Sequence, residues 1–234
     1  MGKRRIMTEF LLIRHGANEY TRTHRLAGWT PGVQLNEQGR AQAEALGKHL
    51  SGRTIHAAYS SPLERTMETA QIALAQWPQL VINTVEDVGE VHYGDWTGQE
   101  LSKLAQQRLW RHVQHEPSRV TFPNGEAMRD AQNRAVNALE TLRLKHPRQT
   151  VAVFSHSDII KMIVAHYMGM HLDAFQRINI SPCSLTVIQL HSGQPMIELV
   201  NETSFLPKEE HQPPASKPQV AGVPDSPDKA PQTR

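Results

Sequence analysis

Cysteine is almost missing from this sequence. One residue, Cys183, stands among 234, so no disulfide can form within the chain. Such usage fits a reducing compartment, and the expected location is cytoplasmic. Long apolar runs are missing as well. The run Phe10–Ile13 is too short for the core of a secretory signal, and nothing approaches the ~18–20 apolar residues of a membrane span, so no membrane partner is expected. Aromatic residues make up 6% and are not interleaved with basic ones, which argues against a stacking platform for single-stranded nucleic acid. The net charge of +2 is too small to argue for nucleic acid on charge alone, while leaving room for a local basic pocket. The phosphate-cradling pattern GxxxxGK[ST] is absent, which removes a P-loop reading. The G-x-S-x-G elbow is absent too, although other folds assemble a Ser-His-Asp triad without it. His112, His115 and Glu116 share a helical spacing, but no further ligand completes a four-member set. They read as a solvated helix face, and no metal is expected.

What is present is enough for one ordinary soluble domain with a sizeable core: 38% hydrophobic and 21% charged residues. Three segments are expected: a flexible N-terminus over 1–7, a folded domain over 8–206, and a Pro-rich tail over 207–234. That tail is rich in Pro, Lys, Glu, Asp and Ser and lacks the apolar surface to offset its ordering entropy. Within the domain, strand-like and helix-like text alternates. Phe10–Ile13, Ile55–Tyr59, Val81–Val85, Thr150–Phe154, Leu185–Leu190 and Ile197–Val200 read as strands. Helices are expected from Asn36 to about Leu50, from Pro62 to Leu74, from Glu126 to Lys145 and from Asp158 to Met168. Asn36 suits a cap, and Pro62 suits a first helical turn. This alternation predicts a layered α/β fold with a mostly parallel sheet.

Polar clusters fall at the ends of three of these strands. Arg14-His15-Gly16 follows the first, Ser60-Ser61-Pro62-Leu63-Glu64-Arg65 the second, and Ser155-His156-Ser157 the fourth. Open α/β sheets bind ligands outside the carboxyl ends of their strands. If these strands are parallel neighbours, Arg14, His15, Arg65 and His156 converge, and two guanidiniums with two imidazoles suit a phosphoryl dianion. Any one of the 13 histidines is by itself an ordinary surface or core residue, and Arg65 alone reads as a solvated helix arginine. The convergence carries the argument.

With these residues in view, the chain resembles the histidine phosphatase superfamily, also called the phosphoglycerate mutase-like family. The resemblance runs from about Glu9 to Leu190. Leu11-Leu-Ile-Arg-His-Gly16 is similar to the family's first strand and loop, and Leu35-Asn-Glu-Gln-Gly39 with Ala41-Gln-Ala43 to the next helix start. Tyr59-Ser-Ser-Pro-Leu-Glu-Arg65 resembles the second signature, and Glu90-Val-His-Tyr-Gly94-Asp-Trp96-Thr-Gly98 the segment that carries the family's acid. Phe122-Pro-Asn-Gly-Glu126 and Val153-Phe-Ser-His156 resemble the lead-in to the long helix and the last signature. The chain departs from the pattern at Ala17-Asn18, where Glu-Thr is frequent, at Thr21 in place of Asn, at Ala27 in place of Gln, and at Ser157 in place of Gly.

The resemblance implies a three-layer sandwich with helices on both faces of a mostly parallel central sheet. It implies a phosphoric monoester hydrolase in which His15 is the nucleophile and Glu90 the acid and base. Arg14, Arg65 and His156 would hold the phosphoryl oxygens, with Thr21 and the backbone N–H of Ser157 as further binding groups. No cofactor or metal is implied, because the arginines supply the positive charge. The expected partner is a small phosphorylated metabolite, and homodimerisation is open at the family level. Residues 29–33 and 101–121 are expected to shape the mouth. Two rival readings stand beside this one. A phosphoglycerate-type mutase needs the same phosphohistidine, but Val91-His-Tyr-Gly94 lacks the Arg of the family's mutases and the stretch from Gly98 to Gly125 is compact. An inactive phospholigand-binding module would not need His15, Glu90 and both arginines together.

Overall fold

The computed structural model describes residues 7–191 and 194–207. The expected flexible N-terminus and Pro-rich tail, apart from Met7 and Pro207, lie outside the described residues. Six strands form one sheet in the order β3-β2-β4-β1-β5-β6. They are β1 Met7–Arg14, β2 Ala57–Ser60, β3 Ile82–Thr84, β4 Thr150–Ser155, β5 Leu185–His191 and β6 Met196–Glu202. The three pairings among β3, β2, β4 and β1 are parallel, whereas β5 runs antiparallel to β1 and β6 antiparallel to β5. The mostly parallel sheet is therefore present, with an antiparallel pair on one side.

The period-2 geometry of a strand explains the two cores. In β1, Phe10 and Leu12 point into one apolar cluster and Leu11 and Ile13 into the other, all buried. On one face lie α2 (Glu37–Leu50) and α3 (Glu64–Ala73), which contribute Leu46, Leu50, Ala70 and Ala73. On the opposite face lie α6 (Met128–Lys145) and α7 (Ser157–Tyr167), which contribute Ala131, Ala135, Leu139, Leu142, Ile160 and Ile163. Each large apolar side chain taken fully out of water in this way stabilises the fold by about 1.5–3 kcal/mol. The expected three-layer sandwich is thus the observed one. Three short helices after β1 and β3 complete the set used below: α1 (Glu19–Arg22) beside the end of β1, and α4 (Leu101–Leu104) and α5 (Arg108–His115) between β3 and α6.

Some boundaries differ from the expectations. Asn36 does cap α2, its side chain accepting from the Gly39 N–H at 2.9 Å. Pro62, by contrast, lies outside the first turn of α3, which opens at Glu64 behind an extended Leu63. The Ser61 hydroxyl accepts from the Leu63 N–H at 3.3 Å and holds an extra turn before the helix begins. The long helix α6 opens at Met128 because residues 121 and 127 pair as an isolated bridge. No helix among the described residues is long and apolar enough to cross a membrane.

Candidate active site

The strand register fixes the convergence. Arg14 in β1 lies beside Ser155 in β4, and Ser60 in β2 lies beside Phe154. The pairing continues past the strand ends: the His15 N–H donates to the Ser155 carbonyl at 3.0 Å, and the Ser61 N–H to the Phe154 carbonyl at 2.9 Å. His15 and His156 are therefore forced side by side, with ring centroids 5.3 Å apart. The site sits at the carboxyl ends of parallel strands, where β1 and β2 flank β4 and the connections reverse direction.

A cavity of about 430 Å³ opens there. Arg14, His15, Arg65, Glu90, Thr21 and Ser157 all line it, and His156 reaches Glu90 and Arg65 from below, with no surface of its own exposed. His15 is 4% exposed. Its Nδ1 lies 2.8 Å from the Gly16 carbonyl. A carbonyl only accepts, so Nδ1 carries the proton and Nε2 keeps a free lone pair. Burial first, then the Arg65 and Arg14 charges, hold the ring well below the usual imidazole range, while the Gly16 bond works weakly the other way. Burial is the larger cause.

Arg65 has no exposed surface. Its Nη2 donates to the Gly28 carbonyl at 2.8 Å and contacts His156 Nδ1 at 3.2 Å. Because a guanidinium only donates, His156 Nδ1 accepts and the proton sits on Nε2, which gives it to the Ser61 hydroxyl at 2.9 Å. The 3.7 Å approach of His156 to Glu90 is then a contact with a neutral ring, in line with the lowering of His156 by burial and by Arg65. Arg14 Nη1 donates to the Ile180 carbonyl at 2.7 Å. Arg14 Nε and Arg65 Nε and Nη1 are buried with no hydrogen-bond partner, so both cations retain donor capacity.

Glu90 lines the same cavity. Its Oε1 accepts from the Val91 N–H at 3.0 Å and lies 3.4 Å from the Tyr93 hydroxyl. Burial and the Asp158 charge push its carboxyl up to about 7 against the pull of Arg65 and Arg14. The segment is clamped from behind. Arg134 donates to the carbonyls of Asp87, Gly89 and Glu90 and pairs with Glu126 at 2.7 Å, and Trp29 Nε1 donates to the Glu90 carbonyl at 2.7 Å. Trp29 stacks on His92 at 4.4 Å and so sits behind the acid. The expected contribution of residues 29–33 to the mouth is corrected accordingly, since none of them lines the cavity. From the second expected stretch, Leu101, Trp110, Val113 and Gln114 do line it.

Several lining residues escaped the sequence reading. Tyr93 donates to Asp158 Oδ2 at 2.9 Å, and Asp158 Oδ1 receives Lys161 Nζ at 3.3 Å. The i, i+3 spacing of Asp158 and Lys161 was a visible signal. Asn18 is fully buried, and with Thr21 it forms a capping box at α1. The Thr21 N–H donates to Asn18 Oδ1 at 2.9 Å, and the Thr21 hydroxyl accepts from the Asn18 N–H at 2.9 Å. The Thr21 hydroxyl proton goes to the Asn18 carbonyl at 2.7 Å, so this hydroxyl is spent on the helix start. Ser157 opens α7 behind an extended His156, and its hydroxyl donates to the Ile180 carbonyl at 3.3 Å. His112 and Glu116 face each other at 3.7 Å, and among the described residues no three His, Cys, Asp or Glu side chains gather as a metal site.

Comparison with known proteins gives the same assignment over nearly the whole domain. The sequence model of the histidine phosphatase superfamily (branch 1) matches residues 10–203. Phosphoserine phosphatase 1 of Hydrogenobacter thermophilus is 29% identical over 202 residues, covering 86% of this chain and 95% of that protein. Phosphoglycerate mutase-like protein 4 of Arabidopsis thaliana is 31% identical over 210 residues, covering 85% and 89%. The solved structure of YhfR from Bacillus stearothermophilus superposes with a TM-score of 0.80 at 28% identity, covering 86% of this chain and all of that one. A family match this long, laid over a sheet that brings both histidines, both arginines and the acid together, means that the chain belongs to the histidine phosphatase superfamily, branch 1.

Proposed function

We propose that the chain hydrolyses small phosphate monoesters in two phosphoryl transfers, with His15 as nucleophile and Glu90 as acid and base. The observation that carries this is the bonding of His15 Nδ1 to the Gly16 carbonyl, which aims a neutral Nε2 into a cavity shared with Arg14, Arg65 and Glu90. In the first step Nε2 attacks phosphorus, the P–O bond to the alcohol breaks, and the Glu90 carboxyl gives its proton to the departing oxygen. In the second step water attacks the phosphohistidine, Glu90 carboxylate takes the water's proton, and the P–N bond electrons return to Nε2. The unpartnered donors of Arg14 and Arg65 stabilise the equatorial oxygens in both transition states. His156 Nδ1 accepts from Arg65 Nη2 and so helps hold that guanidinium toward the phosphoryl oxygens.

A carboxyl with a value of about 7 suits this double duty, since it is half protonated near neutrality. Cytoplasmic placement belongs to the same proposal and rests on the lone, buried Cys183. The test is His15→Ala assayed with p-nitrophenyl phosphate, together with quenching of the native chain in alkaline detergent during turnover. Turnover should fall by at least ~10³-fold in the variant, and the quenched native chain should carry an acid-labile phosphoryl group on the peptide containing His15. A variant that keeps near-native turnover ends the nucleophile assignment.

A further inference from the structure

The chain is poor in aromatics, yet it concentrates them here. Of its 13 (four Trp, four Tyr and five Phe), five line the cavity: Tyr20, Tyr93, Trp96, Trp110 and Phe122. Four of them form a continuous ladder that starts at the acid. The Tyr93 hydroxyl lies 3.4 Å from Glu90. Its ring meets Phe122 edge-on at 5.1 Å, Phe122 meets Trp96 edge-on at 5.3 Å, and Trp96 stacks on Trp110 at 6.1 Å. Leu26, Leu101 and Val113 extend the same wall. On the phosphatase reading, the ladder begins where the leaving oxygen would depart and ends at Trp110, so the body attached to that oxygen would lie along it.

Charge on that side points the same way. Beyond Arg14 and Arg65, the lining cations are Lys161 and Arg25. Lys161 is held by Asp158 at 3.3 Å and Gln176 at 3.0 Å. Arg25 gives two donors to the Gly98 carbonyl, at 3.0 and 2.6 Å, and faces Glu100 at 4.0 Å. A second carboxylate or phosphate on the alcohol would thus find Lys161 and Arg25 already paired, with the exposed His24 imidazole as the remaining basic group on the lining, and it would approach the carboxyls of Asp158 and Glu90. Unpaired like charge discriminates strongly. A cavity of about 430 Å³ also falls in the ~300–1,000 Å³ range of sites that enclose a whole small molecule.

We infer that the site takes phosphate monoesters whose alcohol carries a neutral, ring-bearing body, and that it discriminates against small esters bearing a second anion. This rests on the phosphatase reading of the same cavity. The experiment compares kcat/KM of the full chain for benzyl phosphate, glycerol 2-phosphate, O-phosphoserine and 3-phosphoglycerate, all alkyl esters, so that leaving-group chemistry is nearly constant. Benzyl phosphate should exceed each of the others by at least ~10-fold, the scale on which apolar pockets discriminate. In Trp110→Ala the ratio of benzyl to glycerol ester should fall toward one, with the far-UV spectrum reporting the fold. The wild-type ranking decides the matter even if that variant does not fold. A preference for O-phosphoserine or 3-phosphoglycerate, or a ratio unchanged in folded Trp110→Ala, overturns the inference alone. Absence of turnover with every ester overturns the phosphatase reading and this inference with it.

Discussion

Replacing Asp158 by Asn tests the electrostatics of the acid without disturbing its shape. The Tyr93 hydroxyl lies 3.4 Å from Glu90 and 2.9 Å from Asp158, so the two carboxylates approach to within ~6 Å across it. At an effective dielectric of ~20, unit charges at that separation repel by roughly 3 kcal/mol, equivalent to about two pH units. Lys161 at 3.3 Å offsets part of the Asp158 charge, and the Asp158 side chain is 20% exposed, which reduces the expected effect to about one pH unit. The sign follows from the role. Glu90 must be protonated to supply the leaving-group proton, so kcat/KM for an alkyl phosphate falls as pH rises through its value of about 7. In Asp158→Asn the carboxyl loses an anionic neighbour and ionises more readily, while burial still raises it and Arg65 and Arg14 still oppose that. The falling limb should move down to around pH 6. Native and variant chains are compared on one substrate from about pH 5 to pH 9, so that the ester's own ionisation near pH 6 cancels. Well above both limbs the variant should be about tenfold slower from this cause alone. A limb that stays near 7, or moves up, refutes the coupling of these two carboxyls.

Two further substitutions probe the acid and the loop behind the nucleophile. Glu90→Gln should slow alkyl phosphates at least ~10²-fold more than p-nitrophenyl phosphate, whose leaving group needs no proton; equal slowing of both would remove Glu90 from the leaving-group step. Gly39→Ala would place a methyl group 2.0 Å from the Ala17 carbonyl oxygen and 2.9 Å from the Ala17 N atom, so the loop after His15 must shift. The expected cost is ~1–3 kcal/mol, read as a lower Tm together with reduced turnover, and a variant native in both would show that this loop yields freely.

Much of this site was legible because each of its parts lies next to a strand end. The apolar run before Arg14-His15, the cluster after Tyr59 and the cluster after Phe154 each declare a strand that stops at a polar residue. The parallel order β2-β4-β1 then does the rest. Glu90 was legible only through the resemblance, since it sits between 3-10 turns at Glu86–Val88 and Gly94–Trp96, where no periodicity reports burial. The Asp158–Tyr93–Glu90 connection was not legible at all. It joins a helix start to a loop 65 residues away through one hydroxyl, and local spacing carries no trace of such a contact. Thr21 lines the cavity and also closes a capping box with Asn18, three residues earlier; that local partner went unread, although local side-chain-to-backbone bonds compete well at helix starts. The mouth was half legible: Trp29 faces a carbonyl rather than the cavity, because Glu90's segment needed a donor behind it.

The charge arrangement also divides the labour of the pH profile. Burial alone would make a neutral imidazole of His15, and two guanidiniums nearby reinforce it. On the proposed mechanism this favours the attacking form of His15. The cations that ensure this are expensive. Arg65 is completely buried with Nε and Nη1 unpartnered, and desolvation pulls its guanidinium down from the usual range while Glu90 pulls it back up. An unpaired buried ion costs several kcal/mol, and a phosphoryl dianion is the ligand that offsets this cost. Burying the cup thus serves three ends. It deprotonates the nucleophile and strengthens the arginines' hold on phosphate. Together with the Asp158 charge, it also lifts the Glu90 carboxyl to the pH at which it can both give and take a proton.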